Sequence, residues 1–288
     1  MAKVIDGKKI ALEMQVAVKE ELEALRPLSG SGPKLVSVMA GREKDAILYV
    51  RVQKKTADSM GIAFDICELD ETIGQEGLIK KIEGLNRDDT VTAIIVQHPL
   101  PAGIDHDRVI SAIRPEKDAE GIHPCNLGRI FRREADIIPC TSGAVMKILK
   151  AEGVDLYGRD VVIIGHSAVV GKPLSLMMLN KTATTTVCHI GTAEKGDITG
   201  YTQKADILVV AVGKAGMVKG DWIKEGAVVI DVGINNTDGG VVGDVDFDGA
   251  LKKASMVTPV PGGVGPVTVS ILMRNVSRLY GMSREEKI

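Results

Sequence analysis

Aromatic residues are scarce in this chain of 288 residues, where tryptophan, tyrosine and phenylalanine together make up 3%. So few rings argue against the stacking surfaces on which proteins hold single-stranded nucleic acid. An excess of charge of one sign is also missing, because 36 Lys and Arg stand against 38 Asp and Glu. A formal net charge of −2 gives no basic surface for a nucleic acid or an anionic membrane, so neither partner is expected.

Cysteines and long hydrophobic runs are equally few. The four cysteines (Cys67, Cys125, Cys140 and Cys188) are far apart and form no C-x-x-C pair. This spacing is typical of reduced thiols and not of a disulfide framework or a zinc site, so no metal is expected. The first residues lack the apolar stretch of a signal peptide, and no apolar run is long enough to span a bilayer. We therefore expect a soluble, cytoplasmic protein.

What the chain does contain is an alternation of short apolar runs with longer amphipathic segments. Continuous runs such as Val161–Ile164 and Val228–Ile230 predict strands that are buried on both faces, hence parallel sheets covered by helices. The expected fold is α/β, with two domains built on parallel sheets, the second Rossmann-like, and a ligand-binding cleft between them. The predicted strands are 35–40, 62–67, 93–96, 161–164, 184–188, 207–212 and 227–232. The predicted helices are 8–25, 44–60, 75–85, 142–151, 171–180 and 266–280.

A domain boundary is predicted near Pro139–Ser142, where a charged loop gives way to a helix. The last predicted helix follows a segment rich in glycine and proline, from which it could cross back to the first domain. Residues 1–140 with 268–288 are therefore assigned to a catalytic, substrate-binding domain. Residues 141–267 are assigned to a dinucleotide-binding domain.

The second domain opens with a strand, a glycine-rich turn and a helix. Gly165 and Gly171 flank the turn in the spacing G-x-S-x-x-x-G, which matches the dinucleotide fingerprint G-x-G-x-x-G only in part. Such a turn lets the backbone approach a phosphate at a helix N-terminus, although an ordinary tight turn has the same pattern. The second strand ends without the acidic residue that holds a ribose hydroxyl or the arginine that accepts a 2′-phosphate. This pattern leaves NAD and NADP both open.

In the first domain, Tyr49 and Gln53 are four residues apart in a predicted helix and so lie side by side. Polar residues at this spacing usually form a solvated surface, but a phenol beside an amide can also bind and orient a substrate. A lysine in place of the amide could also move protons, because lysine can lose its charge when desolvated and an amide does not titrate.

Four segments carry a resemblance to the methylenetetrahydrofolate dehydrogenase/methenyltetrahydrofolate cyclohydrolase family. Val96–Pro101 resembles the family's VQLPLP, Lys117–Gly121 its KDVDG, and Gly165–Pro173 its GxSxxVGxP. Pro259–Pro266 adds an unusual proline- and glycine-rich segment, and the resemblance covers essentially the whole chain. It implies a folate substrate, a dinucleotide cofactor and a homodimer.

The resemblance also implies roles for individual residues. It places Tyr49, Val96, Gln97, His98, Pro261, Gly262, Gly263, Val264 and Gly265 at the folate. It places Gly165, His166, Ser167, Ile190, Gly213 and Ile234 at the dinucleotide. Tyr49, Gln53, Gln97 and Glu120 then stand at the catalytic positions.

Three of these positions depart from the family pattern. Gln53 stands where the family has a lysine credited with the cyclohydrolase step, Glu120 stands where it has an aspartate, and His98 replaces a leucine. Lys54 follows directly, but helical geometry turns it by about 100° from Gln53. A one-residue slip or an irregular helix could bring Lys54 into the role.

Two further positions bear on the cofactor. Members that use NADP often carry an arginine at the position of His166 and a polar or basic residue at that of Ile190. A neutral imidazole and an alkyl group hold a phosphate dianion poorly. NAD is therefore the preferred cofactor, with NADP as the other candidate.

The function expected from these residues is oxidation of 5,10-methylenetetrahydrofolate to 5,10-methenyltetrahydrofolate, with weak or absent cyclohydrolase activity. One alternative is a bifunctional dehydrogenase/cyclohydrolase that produces 10-formyltetrahydrofolate. Another is a catalytically silent folate- or nucleotide-binding protein.

Overall fold

The computed structural model describes residues 1–25 and 32–285, which form two compact units. Met1–Leu12 and Pro139–Thr268 make up the six-stranded unit. The described residues of Glu13–Ile138 and Val269–Ile288 make up the three-stranded unit. Each unit is named here for its main sheet.

The strands alternate with helices along most of the chain. The strands are β1 (Lys3–Val4), β2 (Lys34–Ala40), β3 (Ala63–Leu69), β4 (Ala93–Val96), β5 (Asp160–Ile164), β6 (Thr184–Cys188), β7 (Ile207–Val210), β8 (Val228–Asp231), β9 (Asn235–Thr237), β10 (Gly240–Val242) and β11 (Met256–Val257). The helices are α1 (Gly7–Leu25), α2 (Lys44–Met60), α3 (Gln75–Arg87), α4 (His106–Ser111), α5 (Pro124–Arg132), α6 (Cys140–Ala151), α7 (Gly171–Leu179), α8 (Ile190–Glu194), α9 (Ile198–Thr202), α10 (Phe247–Lys253) and α11 (Val264–Glu285).

Both main sheets are parallel. The three-stranded sheet has the order β3-β2-β4, and the six-stranded sheet has the order β1-β11-β8-β7-β5-β6. A separate antiparallel hairpin joins β9 to β10. The four residues of β4, β7 and β8 are buried throughout, as the continuous apolar runs predict for strands that are covered on both faces. The expected α/β class with parallel sheets is confirmed.

The N-terminal residues lie in a different unit from the one expected. Residues 1–12 were expected in the substrate-binding domain, whereas β1 pairs in parallel with β11 in the six-stranded unit. Ile5 is fully buried and its N–H donates to the Val257 carbonyl at 2.9 Å. A strand of two residues has no periodicity that a sequence pattern could reveal, so this assignment required the structure.

The last helix belongs to both units, since its residues up to Thr268 lie in one and those from Val269 in the other. Within the three-stranded unit, the Asn275 amide donates to the carbonyls of Ala119 (3.0 Å) and Ile138 (2.8 Å). Among residues 1–25 and 32–285, no helix combines the length and apolar character needed to cross a membrane.

Candidate active site

Three buried polar side chains of the three-stranded unit form one hydrogen-bond network. α2 contributes Gln53, β2 contributes Ser37, and Gln97 follows the last residue of β4. Gln97 Nε2 donates to Ser37 Oγ and to Gln53 Oε1, both at 3.0 Å. The exposed fractions of Gln53, Ser37 and Gln97 are 0%, 0% and 5%. Gln53 is therefore part of the sheet–helix interior, which excludes a solvated surface position.

The buried Gln53 amide keeps one group without a partner. Its Nε2 atom is covered and finds no acceptor among the described residues. Tyr49, one turn earlier on α2, keeps 38% of its surface exposed and so faces outward far more than Gln53 does. A buried donor without an acceptor is unusual and often marks a functional position.

Lys54 does not take part in this network. Its Nζ atom lies 3.4 Å from Asp58 Oδ1 and 3.4 Å from the Phe64 carbonyl, and 5.9 Å from the centre of the Phe64 ring. These partners lie on α2 and β3, so α2 is regular enough to turn Lys54 away from the Gln53 position. The structure therefore does not support the slip or irregular helix that would bring Lys54 into the lysine role.

Glu120 lies in a segment that pairs with β4 at the edge of the three-stranded sheet. Asp118 bridges to Ile94 in parallel, and the Ala119 N–H donates to the Ile94 carbonyl at 3.1 Å. Burial, aided by the charge of Asp118, raises the pKa of Glu120 to about 8, so this carboxyl is largely protonated at pH 7. Its Oε2 atom is covered and lacks a hydrogen-bond partner among the described residues. Glu120 therefore offers a neutral acid group, unlike an ordinary surface glutamate.

Asp118 closes the loop that carries Glu120. Its carboxylate accepts hydrogen bonds from the N–H groups of Gly121 (3.0 Å) and His123 (2.8 Å) and from the Asn126 amide (2.9 Å). Burial raises its pKa above the ordinary value, against these hydrogen bonds. Asp118 therefore has a structural role that the motif alone does not reveal.

His98 follows Gln97 and packs against a second histidine. The centres of the His98 and His106 rings are 4.3 Å apart, in an edge-on arrangement. Burial, with a contribution from His106, lowers the pKa of His98 to about 4 even though part of the residue reaches the surface. His98 is thus a neutral imidazole at pH 7, and it gives this edge of the sheet no positive charge.

In the six-stranded unit, the segment Pro261–Gly265 follows β11 and includes the first two residues of α11, Val264 and Gly265. Gly263 is buried, and a Cβ atom there would lie 2.6 Å from the Pro259 carbonyl oxygen. Gly7 approaches the same segment, because its own Cβ would lie 1.9 Å from the Gly263 carbonyl oxygen. Only residues without side chains allow this close packing, which holds the segment against the start of α1.

The glycine turn lies between β5 and α7, as predicted. Gly165 has φ +122°, and a Cβ there would lie 2.3 Å from the Ala211 carbonyl oxygen. A Cβ on Gly171 would lie 2.0 Å from the Gly165 carbonyl oxygen, so α7 begins directly against the end of β5. Ser167 Oγ accepts from the Val170 N–H at 3.1 Å and stabilises the turn. Strand, glycine turn and helix N-terminus together fit a dinucleotide phosphate.

Two histidines stand side by side at the carboxyl ends of β5 and β6. The ring centres of His166 and His189 are 5.2 Å apart, and both residues are exposed. His189 Nδ1 accepts from the Gly191 N–H at 3.2 Å. Next to it, Ile190 is 69% exposed, and Ile234, beyond β8, is 64% exposed. Exposed alkyl groups at this edge suit the apolar faces of a nucleotide.

Two buried aspartates hold the neighbouring loops. The Asp244 carboxylate accepts from the N–H groups of Val212, Gly213 and Lys214 at 2.7–2.9 Å, and from the Asn235 amide at 2.9 Å. Asp231 accepts from the N–H groups of Gly233, Asp244 and Val245 at 2.9–3.0 Å. Burial, opposed by these hydrogen bonds, raises the pKa of Asp231 to about 6. Neither aspartate was expected from the sequence. Gly233 packs against the Asp244 carboxylate and Gly243 against that of Asp231, too closely for a Cβ atom at either glycine.

The residues expected at the folate are divided between the two units, whereas those expected at the dinucleotide lie in one. Tyr49, Gln53, Val96, Gln97, His98 and Glu120 lie in the three-stranded unit. Pro261–Gly265 and the six residues expected at the dinucleotide lie in the six-stranded unit. Ser37 and His106 were not expected in the first set; the signal for Ser37 was its polarity within an apolar strand. No cluster of three or more potential metal ligands occurs among the described residues.

Comparison with family models matches both parts of the chain. Residues 5–120 match the catalytic domain of the tetrahydrofolate dehydrogenase/cyclohydrolase family. Residues 139–284 match the NAD(P)-binding domain of the same family. The glycine turn and the two aspartates lie in the second match, and the Ser37–Gln97–Gln53 network lies in the first.

Individual relatives agree with these matches. "Bifunctional protein FolD" of Bacillus licheniformis is 46% identical over 275 residues, which are 95% of each chain. The solved structure of the bifunctional enzyme FolD from Campylobacter jejuni superposes with a TM-score of 0.94 at 39% identity, covering 98% of this chain and all of that one. A Trypanosoma brucei enzyme of this kind, solved with NADP and an inhibitor, gives a TM-score of 0.92 at 40% identity and covers 98% of each chain.

Proposed function

This chain belongs to the tetrahydrofolate dehydrogenase/cyclohydrolase family, and from that premise we propose that it oxidises 5,10-methylenetetrahydrofolate to 5,10-methenyltetrahydrofolate with a nicotinamide dinucleotide. The observation that carries the proposal is the glycine turn of the six-stranded unit, which occurs in a chain whose other half matches the catalytic domain. A Cβ atom at Gly165 or Gly171 would fill the space in which the turn closes, so the glycines match the required backbone approach.

In the proposed reaction, a hydride leaves the one-carbon bridge of the folate for the nicotinamide ring. The adjacent nitrogen lone pair completes the C=N bond of the methenyl product, so no proton passes to the protein. The bound dinucleotide supplies the hydride acceptor. The protein's part is to orient the substrate and exclude water, for which Tyr49, Gln97 and Glu120 are the proposed residues of the three-stranded unit.

Whether the chain also hydrolyses the methenyl product is the open half of the proposal. The relatives are named as bifunctional enzymes, which favours a bifunctional enzyme over the weak cyclohydrolase activity expected from the sequence. One specific observation favours the second candidate, an enzyme with the dehydrogenase activity alone. Gln53 is buried, hydrogen-bonded to Gln97 and unable to titrate, and Lys54 is engaged by Asp58 and Phe64.

We further propose NAD as the preferred cofactor. His166 and Ile190 give no guanidinium or other fixed cation for a 2′-phosphate at the ends of β5 and β6, and a phosphate dianion is best held by charge-assisted donors. The T. brucei relative was solved with NADP, so NADP stays the other candidate. The homodimer implied by the resemblance is also a proposal, and light scattering of the purified protein tests it.

A paired assay tests the proposed function. The purified chain is given methylenetetrahydrofolate with NAD or with NADP, and methenyltetrahydrofolate is given separately to measure hydrolysis. Reduced dinucleotide should form, and faster with NAD. Absence of both NADH and NADPH would overturn the proposal and favour the silent binding protein. The hydrolysis arm decides between the bifunctional and the monofunctional enzyme.

A further inference from the structure

Ser37 is the one polar residue among the buried positions of β2. Leu35, Val36, Val38, Met39 and Ala40 are apolar, and all six positions are buried. Burying a hydroxyl in an apolar layer is unfavourable unless the group is hydrogen-bonded. The Ser37 hydroxyl meets this condition by accepting from Gln97 Nε2 at 3.0 Å. The hydroxyl therefore acts on Gln97, whose side-chain amide it holds by this hydrogen bond.

The two hydrogens of Gln97 Nε2 are both used inside the protein. One goes to Ser37 Oγ and the other to Gln53 Oε1. The Gln97 amide is thereby fixed in one orientation, with its nitrogen inward. Its carbonyl oxygen, which has no hydrogen bond to any described residue, is the part of the side chain left for a ligand.

Gln53 is necessary for this orientation. An amide oxygen at position 53 accepts the second Gln97 hydrogen, whereas an ammonium group has no lone pair to accept it. A glutamine at this position and a serine in the strand therefore act together on Gln97. Neither side chain is itself exposed, since both have an exposed fraction of 0%.

We propose that Ser37 is a positioning residue for the folate, which holds Gln97 so that its carbonyl oxygen accepts a hydrogen bond from an N–H or NH2 group of the substrate. The inference rests on the proposed function, because it takes the folate as the ligand of this unit. Ser37 would thereby contribute to specificity for substrates that have a hydrogen-bond donor facing the Gln97 carbonyl oxygen. Because Ser37 is covered, any effect of its hydroxyl on substrate binding passes through Gln97.

A matched pair of variants tests the role of the hydroxyl. Ser37→Thr keeps the hydroxyl and adds one methyl group, and Ser37→Val has the same shape without the hydroxyl. Relative to Ser37→Thr, Ser37→Val should raise the dissociation constant of 5-formyltetrahydrofolate and the KM for methylenetetrahydrofolate by about three- to tenfold, the effect of one net hydrogen bond. The kcat and the KM for the dinucleotide should stay within about twofold, because Gln97 itself is kept and hydride transfer needs no acid or base from this network.

Two further variants separate positioning from general stability. Ser277→Ala removes another fully buried hydroxyl of the same unit, one without a hydrogen-bond partner among the described residues, and should leave the folate constants unchanged. In a Gln97→Met background, Ser37→Val should have no further effect on folate binding, since the residue through which it acts is gone. Should Ser37→Val fail to fold, Ser37→Ala against Ser277→Ala gives the same comparison.

The outcomes are distinct. Equal folate constants in Ser37→Val and Ser37→Thr, or a full Ser37→Val effect in the Gln97→Met background, would overturn the inference. A wild-type protein that binds the folate analogue without turnover would overturn only the proposed function, and the binding comparison would still decide the role of Ser37. A wild-type protein that neither binds nor turns over a folate would overturn both.

Discussion

A lysine at position 53 would return a titrating group to the buried network around Gln97. The position has no exposed surface, so burial would lower the pKa of the new ammonium group and let it exchange a proton near neutral pH. Hydrolysis of the methenyl product must activate a water and handle the proton that it releases. A positioned acid–base group typically contributes about 10²–10⁴-fold to such a rate, or about 3–5 kcal/mol of barrier.

The structure places the expected gain at the lower end of that range. Gln97 now donates to Gln53 Oε1 at 3.0 Å, and a lysine removes this acceptor. Gln97 must then turn its amide or lose a hydrogen bond, which costs about 1 kcal/mol, or about fivefold in rate. Gln53→Lys should therefore raise the rate of methenyltetrahydrofolate hydrolysis by about 10²-fold, while the dehydrogenase kcat changes little.

The assay follows loss of methenyltetrahydrofolate in the wild type, Gln53→Lys, Gln53→Met and Lys54→Ala. Gln53→Met has a side chain of similar length without a titrating group and should stay as slow as the wild type. Rapid wild-type hydrolysis that survives Gln53→Met and disappears in Lys54→Ala would refute the reasoning. It would show that Lys54 leaves Asp58 and Phe64 to act in the reaction, and the bifunctional enzyme would be established.

Three further changes test other parts of the molecule. His166→Arg should raise kcat/KM for NADP relative to NAD at least tenfold, because a guanidinium offers paired donors to a phosphate; a wild type that already prefers NADP tenfold, about 1.4 kcal/mol, would contradict the argument. Asp244→Asn turns an amide NH2 group toward backbone N–H donors and should lower the free energy of unfolding by about 2–3 kcal/mol in urea titrations, where an unchanged midpoint would count against it. Glu120 has a folded pKa of about 8 against an ordinary 4.5, so the unfolded chain loses this proton first, and the group's stabilising contribution falls as pH rises between those values. Glu120→Gln should flatten the fall in stability with pH over that window, and a slope equal to that of the wild type would show that Glu120 is ionised in the fold.

Much of the fold was predictable because its strands are continuous apolar runs. β4 and β6 begin and end at the predicted residues, and α2 does so as well. The glycine turn was predictable for a related reason, since a close backbone approach leaves only glycine at positions such as Gly165 and Gly171. Backbone geometry that admits only one residue type can therefore be predicted from the sequence.

The hydrogen-bond network of the three-stranded unit was not predictable in the same way. Gln53 was recognisable as a departure from the family lysine, but its burial depends on how α2 packs on the sheet. Its partner Ser37 lies 16 positions earlier, and Gln97 lies 44 positions later. No periodicity connects these three residues. The two buried aspartates are a similar case. Asp231 and Asp244 lie on either side of the β9–β10 hairpin in sequence, and the fold of the hairpin brings them into hydrogen-bond contact.

The pairing of β1 with β11 also sets the order in which the molecule can be finished during synthesis. Lys3 and its partner Met256 are about 250 residues apart, so a ribosome adds about 250 residues between this edge strand of the six-stranded sheet and the strand next to it. The three-stranded unit also stays incomplete until α11 is made, because Asn275 of this helix donates hydrogen bonds to the carbonyls of Ala119 and Ile138. The stretch of about thirty residues from β11 through α11 therefore completes both units. A chain truncated before this stretch leaves β1 without its neighbouring strand and the Ala119 and Ile138 carbonyls without the Asn275 amide.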